Sequence, residues 1–353
     1  MSRERSRILV VKLSSIGDVV QALPVAGALR RRYPAAHLAW AVGPAAAGVV
    51  VGNPHLDEVI VVGGSESNGV AEAAPPLTEP GRLRRALRAR GFDTAVDLQG
   101  LLKSAAVAFL SGARERIGFR SLHEATFLLN NRPIVPNRRD VHAVESYLDF
   151  AEALGAAREP VEFPIAISED DRRVVDGLLA GRERLAALIP GARWESKLWP
   201  VERFAAVAKA LWEEEGLAPV VVGAAGDGEL AGAIEKEAGT PVVDLTGKTT
   251  LKQVAEAFRR CRVAVGNDTG PLYISAAMGT PTVALFGPSG DIEWGPWRVA
   301  HRVVASTEHP CRPCGNNGCG GSRRSDCLIS LPDVRVAAAI SDLLDETAGA
   351  FDR

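Results

Sequence analysis

The sequence predicts an α/β protein built from two doubly wound, Rossmann-like domains in succession. Three observations carry this. Short apolar runs alternate with helical stretches through most of the 353 residues, and such alternation implies a parallel sheet covered on both faces. The alternation breaks once, at "AAREPVEFPIAISEDD", and then restarts. A length well beyond about 150 residues also favours two domains. The 46% hydrophobic and 24% charged residues are ordinary for a globular chain and argue against disorder.

In the first half, "RILVVKL" reads as a buried strand, "DVVQALPVAGALRRRYP" as one helix, and "HLAWAV" and "DEVIVV" as further strands. "EPGRLRRALRARG" is a basic amphipathic helix, "TAVDL" a strand, and "KSAAVAFLSG" a helix stopped by its glycine. In "HAVESYLDFAEALG" the apolar Val144, Tyr147, Leu148 and Ala151 recur at helical spacing. The break, with its two prolines and its acids, is the linker. We therefore expect one domain over 1–157, a linker over 158–168 and a second domain over 169–353. The second repeats the pattern: "RLAALIP", "APVVVG", "RVAVG" and "TPTVALFG" as strands, with "PVERFAAVAKALWEEEG", "GELAGAIEKEAG", "TLKQVAEAFRRC" and "GPLYISAAMG" as helices. A Gly- and Cys-rich insertion, 309–327, precedes a terminal helix, "LPDVRVAAAISDLLDE". Two such domains form a cleft where their strand ends face each other.

The formal net charge is −2, unevenly spread: residues 1–157 hold 19 Lys and Arg against 15 Asp and Glu, and the remainder 22 against 28. A basic first half suggests an anionic partner there, although two solvated surfaces that happen to differ give the same numbers. No nucleic-acid partner is expected. No run approaches the ~18 apolar residues of a membrane span. The basic lead meets an apolar run broken by Lys12 and ended by Asp18, so it reads as a first strand rather than a signal peptide. A cytosolic location, with reduced cysteines, is the expectation.

Candidate site residues fall in loops just beyond strands. In "IPGARWESKLWP", Lys197 can set a point charge on a phosphate, or is a solvated loop lysine. In "VVGAAGDGEL", the glycines permit close backbone approach and Asp227 or Glu229 can accept from ribose hydroxyls, with helix capping as the simpler role for Asp227. In "VGNDTGPLYISAAMG", a strand runs through Asn267, Asp268, Thr269 and Gly270 into a helix whose free N–H groups suit a diphosphate. In the first half, "KLSSIGDVV" places Asp18 at a strand end and a helix start, either as a base or as a cap.

These residues, with "DLQGLLKSA", "HAVESYLDFAEALG", "GNDTGPLYISAAMGTPTVALFGPS" and "CRPCGNNGCGGSRRSDCLI", resemble glycosyltransferase family 9, the ADP-heptose:lipopolysaccharide heptosyltransferases. The resemblance runs from about residue 7 to 345 and implies a GT-B architecture, with an acceptor domain first and a nucleotide-sugar domain second. It also implies transfer with inversion. Position by position, Asp18 matches the family's catalytic base, Lys197 its diphosphate lysine and Asp227 its ribose acid. Asp268, Thr269 and Gly270 match its Asp-[Ser/Thr]-Gly donor loop. The family usually has His where this chain has Tyr273, which can donate a hydrogen bond but carries no positive charge.

The implied donor is ADP-heptose. The implied acceptor is a lipopolysaccharide inner core of the Kdo-lipid A type, contacted by Ser14, Ser15, Gly17 and Lys103. Its carboxylates and phosphates suit arginine, and the basic helix can also hold the protein at the cytoplasmic face of the inner membrane. Solvated surface is the other reading of those arginines. No Asp-x-Asp pair occurs, so no metal clamp and no cofactor are expected, and Lys197 with the helix end after Gly270 is left to neutralise the leaving group. Cys311, Cys314, Cys319 and Cys327 are spaced to hold Zn²⁺, to stay free or to pair oxidatively. Two competing functions remain: a family 9 transferase using another nucleotide sugar, and a nucleotide-sugar epimerase of the same architecture.

Overall fold

The structure is a computed structural model that describes residues 5–64, 72–119, 123–134 and 141–350. Of the basic lead, residues 1–4 lie outside the described residues. Contacts divide the chain into two compact units, Met1–Ala166 and Ile167–Arg353.

The first unit carries a parallel sheet of seven described strands: β1 (Arg7–Val11), β2 (His37–Val42), β3 (Glu58–Val62), β4 (Glu72–Ala74), β5 (Thr94–Asp97), β6 (Glu115–Phe119) and β7 (Arg132–Ile134). Their spatial order is β4-β3-β2-β1-β5-β6-β7, with Ile8 level with Leu38 on one side and Thr94 on the other. Six described helices cover it: α1 (Ile16–Ala22), α2 (Pro24–Arg32), α3 (Ala47–Val50), α4 (Pro80–Arg88), α5 (Leu102–Leu110) and α6 (Ala143–Ala153). Alternation sends Leu9 and Val11 to one face, where they cluster with Leu83, Leu87 and Val107 of α4 and α5. Ile8 and Val10 are equally buried on the other face. Both faces are therefore apolar, which is why the strand reads as a continuous hydrophobic run.

The second unit repeats the plan with six described strands: β8 (Leu185–Ile189), β9 (Ala218–Val221), β10 (Val243–Asp244), β11 (Cys261–Asn267), β12 (Thr282–Phe286) and β13 (His301–Ala305). Their order is β10-β9-β8-β11-β12-β13 and every pair is parallel. Its helices are α7 (Glu169–Leu179), α8 (Val201–Glu213), α9 (Gly228–Ala238), α10 (Leu251–Arg259), α11 (Gly270–Ala277), α12 (Asp291–Trp294), α13 (Asp326–Ile329) and α14 (Asp333–Thr347). Trp199 and Phe204 stack edge to face at 4.9 Å in a core shared with α14. Gly266 lets β11 lie against β8: a Cβ there would stand 2.4 Å from Ile189 Cβ.

The predicted class, α/β with two doubly wound, Rossmann-like domains, is what is found. Some elements differ. The single helix expected after β1 is two, α1 and α2, divided at Leu23 because Pro24 has no N–H to continue the ladder. The edge strands β4, β7, β10 and β13, the inner strand β6 and helix α7 were not expected; Ser168 caps α7 by accepting from Asp171 N at 3.1 Å.

Candidate functional site

In each sheet the strand order reverses once, between β1 and β5 and between β8 and β11. Loops leaving the strands at such a point turn to opposite faces and open a crevice, where ligands of doubly wound folds bind. Asp18 and Lys103 follow β1 and β5; Lys197 and Asp268 follow β8 and β11.

In the first unit, Lys12 continues the alternation of Ile8 and Val10 toward α6, and its side chain is buried. Its Nζ donates to Tyr147 Oη at 2.8 Å, to Asp18 Oδ1 at 3.2 Å and to Leu98 O at 3.4 Å. Tyr147 Oη in turn donates to Asp18 Oδ1 at 3.1 Å. The other oxygen, Oδ2, accepts from Ser15 N at 3.1 Å and Ser15 Oγ at 2.6 Å, closing a capping box at the start of α1. The capping role is thus real, but it occupies one oxygen only. Burial pushes the Asp18 carboxyl up, and the Lys12 charge with the Ser15 hydrogen bonds overcomes this and holds it below the usual carboxylate range. Burial pulls the Lys12 amine down, against the pull of Asp18.

The two acceptor-side loops meet. Gln99 accepts from Leu13 N at 2.9 Å, and Lys103 Nζ donates to Ser14 Oγ at 3.0 Å. Ser15 is exposed, whereas Gly17 is buried inside the first turn of α1. Asp97, at the end of β5, accepts from Gln99 N and Gly100 N and is pushed up by burial.

In the second unit, Lys197 Nζ pairs with Asp268 Oδ2 at 2.5 Å. The Tyr273 hydroxyl donates to Asp268 Oδ1, so it is turned onto a buried carboxylate. Asn267 ties the two loops: its Nδ2 donates to Pro190 O at 2.7 Å and its Oδ1 accepts from Trp199 N at 3.2 Å. Thr269 is the N-cap of α11 with no side-chain cap bond, and Gly270 opens the helix. Asp227 accepts from Ala224 N at 2.8 Å and sits in a niche where a Cβ on Gly191 or Gly223 would come within 2.6 or 2.7 Å of its Oδ2. Asp227 thus stands at the N-cap position of α9 without the expected side-chain cap bond there, because its carboxylate is turned back onto the start of the 3-10 turn Ala225–Asp227.

The Cys-rich segment packs beside these loops. Ser196 Oγ donates to Asn317 Oδ1 at 2.9 Å, and Arg312 Nε to Gly287 O at 2.6 Å. All five cysteines are free thiols. Among the described residues no group of three or more His, Cys, Asp or Glu side chains is placed to hold a metal ion, so the zinc reading of Cys311, Cys314, Cys319 and Cys327 finds no such geometry. Burial pushes the Cys327 thiol up; Arg312 pulls it down, and the other three thiols add to the rise.

Sequence reading missed Lys12 and Tyr147 as site residues, and placed Asn267 in the donor loop without its ties to Pro190 and Trp199. Lys12 had a visible signal: a lysine inside an apolar strand, in phase with the buried face.

Residues 81–321 match the sequence profile of glycosyltransferase family 9 (heptosyltransferase). Lipopolysaccharide heptosyltransferase 2 of Salmonella typhimurium is 29% identical over 356 residues, 96% of this chain and 99% of that protein. Among solved structures, a glycosyl transferase family 9 protein from Veillonella parvula superposes with a TM-score of 0.81 at 25% identity, covering 98% of this chain and 99% of that one. The E. coli ADP-heptose lps heptosyltransferase II gives 0.76 at 26% identity, covering 97% and 99%.

The ion pair makes a pH prediction. Asp18 is more acidic folded than unfolded, so its contribution to stability is complete above about pH 4 and is lost as pH falls through its lower folded value. Lys12→Met removes the opposing charge. The carboxyl titration of Asp18, followed by NMR, should then move upward, and acid unfolding should begin at higher pH. An unmoved titration would show that solvent already screens the pair.

Proposed function

The chain belongs to glycosyltransferase family 9, and from that premise we propose that it moves heptose from ADP-heptose to a hydroxyl of a lipopolysaccharide inner core, with inversion and without a metal. One observation carries the reading of Asp18 as the base. A cap needs one carboxylate oxygen, and Oδ2 fills that role, whereas Oδ1 is held by a buried lysine and a tyrosine that capping does not require. A hydroxyl is a poor nucleophile at neutral pH, so a carboxylate must take its proton as the new C–O bond forms. Kept ionised by Lys12, Asp18 is ready for that proton, and inversion needs a single such group.

The second unit deals with the leaving ADP. Lys197, the N–H groups at the start of α11 and the small Gly270 suit a diphosphate whose charge grows as the glycosidic bond breaks. Asp227 and Asp268 are acceptors for donor hydroxyls, with Thr269 beside them. Ser14, Ser15, Gly17 and Lys103 frame the acceptor side, and Lys103 is exposed enough to meet an anionic core. No described helix is long and apolar enough to cross a membrane. The lipid-borne acceptor and the basic first half support work at the cytoplasmic face of the inner membrane. The epimerase reading does not survive the family assignment. A donor other than ADP-heptose keeps one argument: Tyr273 offers a hydroxyl, and that hydroxyl is already given to Asp268. Calorimetric titration with a panel of nucleotide sugars separates the two, since the tightest ligand identifies the donor.

Asp18→Asn should cut turnover by about 10²–10⁴-fold. It also takes the counter-charge from Lys12, so some loss of stability is expected and the deciding measurements are turnover and donor affinity. Donor affinity should hold. If more than about a tenth of turnover survives where chemistry limits the rate, Asp18 is a cap and not the base.

Lys197→Ala should weaken ADP binding by roughly 1.5–3 kcal/mol, the range for a charge-assisted hydrogen bond, and leaves Asp268 without its counter-charge, so that it repels the diphosphate further. Unchanged affinity by calorimetry would remove Lys197 from the donor site.

Turnover should persist in EDTA. Loss in EDTA with recovery on Mg²⁺ or Mn²⁺ would replace the lysine-and-helix account with a metal one.

A further inference from the structure

The carboxylate of Asp18 accepts four hydrogen bonds from described groups, and about four is the number of lone-pair positions it has. Lys12 Nζ and Tyr147 Oη take Oδ1, while Ser15 N and Ser15 Oγ take Oδ2. A general base must hold a hydrogen bond to the hydroxyl whose proton it removes. The four donors leave no position for that hydroxyl, so one of them has to give way.

They are not equally able to leave. Lys12 and Tyr147 are buried and bonded to each other, and Lys12 without Asp18 would be a buried charge without its counter-charge. Ser15 N is a backbone group fixed at the start of α1. Ser15 Oγ is a hydroxyl on an exposed residue, and one rotation about χ1 takes it off Asp18. A second serine in the chain shows what would tie it down. At the start of α7, Ser168 N and Oγ donate to Asp171 Oδ2 at 3.0 and 2.6 Å, and Ser168 Oγ also accepts from Asp171 N at 3.1 Å. Ser15 makes the same two bonds to Asp18, at 3.1 and 2.6 Å, but its Oγ takes no cap hydrogen bond from α1. Ser168 Oγ is held from two sides, and Ser15 Oγ rests on the carboxylate alone.

We propose that Ser15 Oγ occupies the position on Asp18 Oδ2 that the acceptor hydroxyl takes, and that it keeps water off the base until the acceptor arrives. An aliphatic hydroxyl 2.6 Å from a carboxylate oxygen is the same chemical group, at the same distance, as a substrate hydroxyl about to lose its proton. It is tethered in place and loses little freedom on binding, whereas a free water loses more. An acceptor that brings further contacts displaces it, and a lone water does not. In transfer the acceptor O–H proton passes to Oδ2, the new C–O bond forms at the anomeric carbon, and the bond to ADP breaks with its electron pair leaving on the phosphate. Water in the same position would undergo the same exchange and release free heptose and ADP. Ser15 is therefore a specificity-determining residue that favours transfer over hydrolysis. This rests on the reading of Asp18 as the base.

The test is ADP release from ADP-heptose by the full chain, with and without the core acceptor. Without acceptor the unmodified chain should release ADP slowly. Ser15→Ala should raise that release about tenfold or more, the weight of a charge-assisted hydrogen bond, and lower the ratio of transfer to hydrolysis accordingly. Ser15→Gly also lacks the hydroxyl and is tolerated at an N-cap, so it should match Ser15→Ala even if the alanine unsettles α1. Ser15→Thr keeps a hydroxyl and should restore the unmodified ratio. Tyr147→Phe empties a position on Oδ1 only and should not speed acceptor-free release. Three results overturn the proposal: unchanged acceptor-free release in Ser15→Ala and Ser15→Gly, release in Ser15→Thr equal to theirs, or a matching rise in Tyr147→Phe. Asp18→Asn separates this from the reading beneath it. Transfer that survives there removes the base and the proposal together, whereas transfer lost there with no effect of Ser15→Ala removes the proposal alone.

Discussion

A parallel strand reaches its neighbour only through a crossover on one face of the sheet, and the crossovers have a fixed hand. Where strand order reverses, the chain must leave adjacent strands toward opposite faces, and the backbone there has no helix packed over it. Both sheets of this protein contain one such point, β1 beside β5 and β8 beside β11. Asp18, Lys103, Lys197 and Asp268 depend on it, whereas Asp227 follows β9, one strand away. Lys103 reaches Ser14, in the loop that carries Asp18, because β1 and β5 are neighbours, and Lys197 reaches Asp268 because β8 and β11 are.

Those points also gather buried charge, which a stable core ordinarily avoids. Lys12 is buried against Asp18 and Tyr147, and Asp268 is buried against Lys197 and Tyr273. An ion pair of this kind adds little net stability, because desolvation offsets the attraction, while loss of one partner costs about 3–5 kcal/mol. A Leu or Met at position 12 would suit β1 and its core better. The retained lysine is therefore best understood through the carboxylate it keeps ionised, which places its value in chemistry rather than in folding.

Much of this was legible in the sequence, for physical reasons that differ by element. Strands buried on both faces, such as "HLAWAV" and "TAVDL", announce themselves as apolar runs, and they appear as β2 and β5 nearly to the residue. Edge strands such as β7, "RPI", are short and half exposed, so no run marks them. The loops carrying Asp18, Lys197 and Asp268 were visible because glycine and acid follow a strand directly. Their partners were harder to see. Tyr147 lies 129 positions from Asp18, and Pro190 lies 77 from Asn267, so only the folded sheet makes them neighbours. The orientation of Tyr273 was equally hidden, since a side chain's chemistry does not reveal which group consumes it.

The Lys197–Asp268 pair has a consequence for what the second unit attracts. A lysine neutralised at 2.5 Å by an internal carboxylate projects the field of a dipole, which decays faster with distance than that of a bare charge. Passing chloride or inorganic phosphate meets no open cation, and must displace a carboxylate that is covalently present at every moment. An anion succeeds only by bringing further contacts of its own, from a nucleoside or a sugar. The loop then behaves as an ion exchanger with a resident counter-ion, and discriminates by the shape of the whole ligand rather than by its charge.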